Sequence, residues 1–208
     1  MDIHPPSGRV ESVKEFLTHI LIVTIGILIA LGLEGVRESW REHSEVREAR
    51  ESFRAELSRN LKQLSQEQVS LHQAESKLDK IISDMPELVK SPPELNKRVS
   101  ELQPGFYFFS TTAWESAMSS GALTHMRREE LDRYVDAYLG VKNYQEYSRS
   151  MFPEYIDVEA YFPSHHSYTP AEEADGEQKL RTLQMGFQVM EHLSEEMKSG
   201  IEESTKER

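Results

Sequence analysis

With 208 residues and a net charge of −12, the chain lacks the broad basic surface that nucleic-acid backbones demand, so nucleic acid is excluded as a partner. It contains no cysteine, which removes disulfides, thiolate metal sites, cysteine nucleophiles and lipidated-cysteine anchors. Outside one apolar block about 170 residues remain, the size of a single soluble domain with or without a stalk.

Residues 1–15 read as a polar N-terminal tail containing Pro5-Pro6 and Gly8. Residues 16–33 (FLTHILIVTIGILIALGL) then carry no charged side chain, in a chain that is 29% charged. As a helix this block spans about 27 Å, close to a hydrocarbon core of roughly 30 Å. Its Leu, Ile, Val and Phe side chains favour insertion by about 4 to 6 kcal/mol in sum. Thr18, His19, Thr24, Gly26 and Gly32 subtract from that; Thr18 and Thr24 can bond back to helical carbonyls. A cleaved signal peptide competes, because Ala30-Leu31-Gly32 has the small-x-small pattern, but the block is longer than a usual signal core. An amphipathic surface helix fails for want of a polar face. The block is expected to be a retained transmembrane helix.

Topology is contested. Arg9 and Lys14 precede the anchor, while Arg37, Arg41, Arg47 and Arg50 follow it, which favours a cytoplasmic C-terminal domain by count. A short tail followed by one apolar helix acts in the other direction, as a signal anchor. The expectation adopted is an extracytoplasmic domain.

Residues 34–85 read as a long polar, amphipathic stalk helix, with breaks considered at Gly35 and His43-Ser44. No proline falls in it before Pro86, and Glu/Arg pairs at i,i+3 (Glu34/Arg37, Glu38/Arg41, Glu51/Arg54) each add a few tenths of a kcal/mol. Leu57, Leu61, Leu64, Gln68, Leu71, Glu75, Leu78, Ile82 and Met85 follow 4-3 spacing. They form a narrow seam of 3.5-residue period, for a coiled-coil copy or for later helices of the same chain. Gln68 and Glu75 on one heptad position favour internal packing.

Residues 86–208 read as a helical domain packing on that stalk. A short helix follows Ser91-Pro92-Pro93, and Pro104-Gly105 marks a turn. Phe106 to Phe109 is expected to plug the core. Thr112 and Glu115 read as a capping box for a helix to about Ser120, stopped by Gly121. Further helices are expected over 126–151 and 177–202. Between them Pro153 and Pro163 bound a looser aromatic stretch, and Thr169-Pro170-Ala171-Glu172 caps a short turn that Gly176 interrupts. No strand alternation appears. The fold class is therefore all-α: one transmembrane helix running into a long amphipathic helix, then a bundle of about four helices.

Ile25-Gly26-Ile27-Leu28-Ile29-Ala30-Leu31, followed by a charged helix, resembles the anchor of a family of uncharacterised single-pass bacterial membrane proteins. Thr112-Ala113-Trp114-Glu115 and Ser119-Ser120-Gly121-Ala122-Leu123 resemble that family's second recurrent segment. The family tends to place Asn-Asn-Trp after the anchor; here Glu34-Gly35-Val36 stands there and Trp40 comes one turn later. The resemblance implies a bacterial inner-membrane protein and supplies no active site.

Few residues point to chemistry. Gly26, Ala30 and Gly32 would let two membrane helices approach closely. Arg37 and Trp40 are candidate membrane-interface residues. Leu57, Leu61, Leu64, Leu71 and Leu78 form the partner or packing seam. His165-His166 lacks the spacing of a metal motif, and Glu129, Asp132 and Asp136 read as a solvated acidic face. No catalytic constellation or phosphate loop is found, so neither enzymatic activity nor a cofactor is expected. The function expected is a membrane-anchored scaffold or accessory subunit, touching lipid and either other integral membrane subunits or itself. The alternative is a membrane-tethered sensor using the Tyr-rich stretch 134–168, with a cavity among Tyr138, Tyr155, Tyr161 and Phe187.

Overall fold

A computed structural model describes residues 13–206. Among them the protein is all-helical, with no strand: α1 (Val13–Leu88), α2 (Pro92–Ser100), α3 (Thr112–Ser120), a 3-10 turn (Ala122–His125), α4 (Arg128–Tyr161) and α5 (Pro170–Thr205). The tail expected over 1–15 lies outside the described residues up to position 12; Val13 to Glu15 are already helical. No break occurs at Gly35 or His43-Ser44, because α1 is continuous to Leu88 with Pro86 in its last turn.

The chain divides into two units, Met1–Arg47 and Glu48–Arg208. In the first, every residue from 13 to 37 is exposed, including all the apolar side chains of the block. Thr18, His19 and Thr24 each bond to the carbonyl four residues back, at 2.8, 2.9 and 2.8 Å. These bonds satisfy polar atoms that no neighbour reaches.

The second unit begins at Glu48, so the later half of α1 belongs to the same compact body as the helices after residue 88. Three long helices build that body, each with a buried stripe at alternating 3- and 4-residue steps. On α1 the stripe is Phe53, Leu57, Asn60, Leu64, Glu67, Leu71, Ala74, Leu78, Ile81, Met85 and Leu88. On α5 it is Leu180, Leu183, Phe187, Met190, Ser194, Met197, Ile201 and Ser204. On α4 it runs from Tyr134 through Val141, Tyr144, Ser148 and Met151 to Val158. A shared 3.5-residue period keeps each stripe facing its neighbours along the whole helix.

The helix directions follow from register. A Cβ on Gly140 would meet Met197 and one on Gly186 would meet Met151, so α4 and α5 run antiparallel. Gln68 bonds Ser194 at 2.9 Å and Gln184 bonds Asp79 at 2.5 Å, so α1 and α5 also run antiparallel. Hence α1 and α4 are parallel, and Phe53 duly packs on Tyr134 and Tyr138.

Parallel neighbours cannot be joined by a short loop. After α1 ends, the chain must travel back beside it, and residues 101–113 do so. Lys77 donates to the Glu101 carbonyl at 2.7 Å, and Gln63 to that of Phe108 at 3.0 Å. Asn60 holds the Ser110 carbonyl at 2.8 Å and accepts from its N–H at 3.1 Å. Positions 77 to 56 of α1 cover about 32 Å, whereas residues 101–113 wound as a helix would reach only about 18 Å. The segment is therefore extended until α3, and side chains of α1 replace the partners that a helix or sheet would give its backbone.

Several sequence expectations change for this reason. The seam keeps Leu57, Leu64, Leu71 and Leu78 fully buried, but its second row is Asn60, Glu67, Ala74 and Ile81 rather than Leu61, Gln68, Glu75 and Ile82. Of the aromatic run 106–109 only Phe109 is buried, while Phe108 is 77% exposed. α4 passes through Pro153 to Tyr161, because Val158 and Phe162 continue the buried stripe beyond it and offset the lost backbone bond. α5 passes through Gly176, whose bare backbone lies against the Phe162 and Tyr161 rings. The box at Thr169 and Glu172 forms as read, and Gly121 closes α3 with φ +81°.

Candidate functional site

Glu56 is the hub of one end of the body. Only 2% exposed, its carboxylate accepts from the Tyr138 hydroxyl at 2.8 Å, from the Ser110 hydroxyl at 2.5 Å and, through both oxygens, from the Ala113 N–H at 3.1 Å. Ala113 lies in the first turn of α3, so a carboxylate from α1 sits at the positive end of that helix. The expected box at Thr112 and Glu115 does not form. Thr111 precedes the helix and its hydroxyl bonds the Glu115 side chain at 2.8 Å. The Tyr138 phenol is pushed up by burial first and by Glu56 second.

This hub fixes Trp114 against Phe53 and Tyr138, with ring centres 5.7 and 5.2 Å apart. Beyond it α3 and α4 enclose an open groove of about 490 Å³. Its floor is apolar (Trp114, Met118, Val135, Leu139) and its rim is charged (Glu115, Lys142, Glu146, Arg149).

Further along α1, Glu67 is fully buried and its carboxyl oxygens have no hydrogen-bond partner. The Tyr144 hydroxyl is unpartnered as well. Burial pushes the Glu67 carboxyl up to about 7, and the nearby Tyr144 hydroxyl and Tyr107 backbone relieve that only in part. Nothing in the 4-3 reading marked Glu67, because a carboxylate was assigned to the outside; the signal was its place seven residues after Asn60 and before Ala74.

Two further clusters lie on the surface. Donor atoms of His72, Glu75 and Glu191, from α1 and α5, lie within 4.8 Å of one another. Burial, Glu191 and Asp79 raise the Glu75 carboxyl. These three could hold a cation, although sequence reading passed over them because Glu191 is distant in the chain. At the start of α4, Arg50, Arg54, Arg127, Arg133 and Lys206 line a cavity of about 410 Å³.

The other residues singled out from sequence fall as follows. Gly26 and Gly32 have open space around them, and Ala30 is exposed. Arg37 lies 3.7 Å from Glu34, and Trp40 is 79% exposed. Leu61 is half-buried at the edge of the seam. His166 bonds Glu172 at 3.1 Å, while Asp132 lies 3.9 Å from Arg128 and Glu129 3.6 Å from Arg127. The tyrosines do not gather. Tyr138 and Tyr161 stand about 35 Å apart along α4 by helical rise, the Tyr155 hydroxyl is tied to the Leu102 carbonyl at 2.6 Å, and Phe187 is fully buried. No single cavity can be lined by all four.

No protein-family model, curated protein or solved structure matches the chain. Its function must be argued from its own residues.

Proposed function

We propose that the protein is a single-pass subunit of a bacterial inner-membrane assembly, anchored by residues 16–33 and acting through protein contacts as a scaffold or spacer. One observation carries this reading. Eighteen consecutive uncharged residues form helix, and none of that stretch is buried by the rest of the chain. An apolar helical surface of that length in water is strongly unfavourable, so its cover comes from outside the chain, and lipid is the cover its length fits. Gly26, Ala30 and Gly32 support a close approach by a second membrane helix, since nothing in the chain itself needs their small size. The apolar groove with its charged rim, and the tightly cross-linked body around it, support a role in contact rather than in chemistry.

The body is placed on the extracytoplasmic side in this proposal, following the signal-anchor reading of the short tail. Because the chain has no cysteine, a single introduced one reports topology without background. Ser58→Cys should react in intact spheroplasts with a reagent that does not cross the membrane. Labelling only after lysis would reverse the orientation. The scaffold role is tested by size. In mild detergent the protein should elute with bound partners, well above the 24.0 kDa of one chain plus its micelle. Elution as a lone monomer would remove it.

A further inference from the structure

The cavity at the start of α4 is built unlike the rest of this acidic molecule. Five cations line it, Arg50 and Arg54 from α1, Arg127 and Arg133 around the start of α4, and Lys206 after α5. Two carboxylates share the lining, Glu129 and Glu130. Glu130 is committed to Arg50 through two bonds of 2.6 and 2.7 Å, and Glu129 lies 3.6 Å from Arg127. The Arg54 side chain bonds the Tyr134 phenol, a neutral partner. The cavity therefore keeps an excess of positive charge in a chain of net charge −12.

One atom makes the case more than charge alone. The Arg133 Nε–H is buried and has no acceptor. A guanidinium N–H withdrawn from water and left unbonded is costly, and an acceptor supplied from outside removes that cost. The last turn of α5 ends at this cavity, with Ser204 in its lining, and its carbonyl end attracts part of the charge. That attraction still leaves Nε without a partner. Planar guanidinium groups on several sides of an open pocket match a tetrahedral oxyanion, which accepts from each of them at once. An isolated phosphate group suits this pocket; a nucleic-acid strand, with its run of charges, would meet acid on every other face.

We propose that this cavity binds a phosphate group, presented either by an anionic lipid headgroup or by a free phosphate. The proposal does not depend on the scaffold reading. It is tested on the full-length protein in uncharged detergent micelles, with thermal melting as the readout. One arm titrates inorganic phosphate against chloride at equal ionic strength. The other compares micelles doped with phosphatidylglycerol against micelles doped with phosphatidylcholine. At least one anion should raise the melting temperature above its control, and the responding arm identifies the source. Arg133→Gln should weaken that response about tenfold, the effect of losing one charge-assisted bond. Arg127→Gln, at an exposed side chain whose loss leaves the fold intact, should weaken it several-fold. Shifts equal to the chloride and phosphatidylcholine controls in both arms, or Arg127→Gln responding like the parent, would overturn the proposal.

Discussion

Residues 16–33 and residues 53–88 belong to one helix and solve opposite problems. The first stretch is apolar on all sides and buries nothing; the second is apolar on a narrow stripe and buries nearly all of it. In the first, composition alone decides the outcome, and the polar atoms that do occur bond back to their own helix. In the second, position decides. Glu56, Asn60 and Glu67 are inside because the return segment 101–113 lies over them, whereas apolar Val69 is 58% exposed. Hydrophobicity without periodicity points to an external solvent of low polarity; periodicity with embedded polar residues points to a specific internal partner.

The sharpest way to break this comparison is to charge the first stretch. Ile25→Arg with Ile27→Arg costs about 6 kcal/mol of insertion free energy, enough to cancel the gross gain of the block. The double variant should leave the membrane pellet, while the melting of the helical body stays unchanged. A lower melting temperature of that body would show that the two stretches are not independent.

The converse variant strikes the stripe. Phe53 is fully buried and touches Trp114, Tyr134 and Tyr138. Phe53→Ala should destabilise the body by about 3 to 5 kcal/mol in a denaturant titration, with membrane association retained.

Glu67 gives the comparison a pH axis. Its carboxyl is raised from 4.5 to about 7 on folding. Between those values the unfolded chain has lost a proton that the folded chain keeps, so stability falls as pH rises through that window. The loss amounts to about 3 kcal/mol and is complete above pH 7. Glu67→Gln keeps the shape without the charge. It should be more stable than the parent at pH 8, by roughly that amount, and close to it at pH 4.5. Parallel stability curves for the two proteins would refute the buried-carboxyl account.

The smallest effect concerns a cap. Thr169→Ala removes the hydroxyl that accepts from the Glu172 N–H at 3.3 Å and should cost about 1 kcal/mol by the same titration. A loss of several kcal/mol there would mean that the turn between α4 and α5 anchors the body.

The sequence makes legible whatever is local. The apolar block, the back-bonded Thr18 and Thr24, the Thr169–Glu172 box and the left-handed Gly121 each rest on a few neighbouring residues. So does the seven-residue repeat Leu57, Leu64, Leu71 and Leu78. What stayed hidden depends on chain direction. Nothing near Asn60 announces that Ser110 will need its amide, and nothing near Pro153 announces that burial beyond it will hold the helix together. The second row of the seam was misplaced by one residue because Leu61 and Ile82 are apolar while Asn60 and Glu67 are not. The cation cavity was invisible for the same reason: Arg50, Arg127 and Lys206 meet only once α1, α4 and α5 are in register.

The central claim is that residues 16–33 hold the chain in lipid. It is tested most directly by extracting cell membranes with alkaline carbonate and measuring the intact mass of the protein in pellet and supernatant. The expected result is the uncleaved chain of 24.0 kDa in the pellet. Protein recovered in the supernatant, or shortened by cleavage near Gly32, would contradict it.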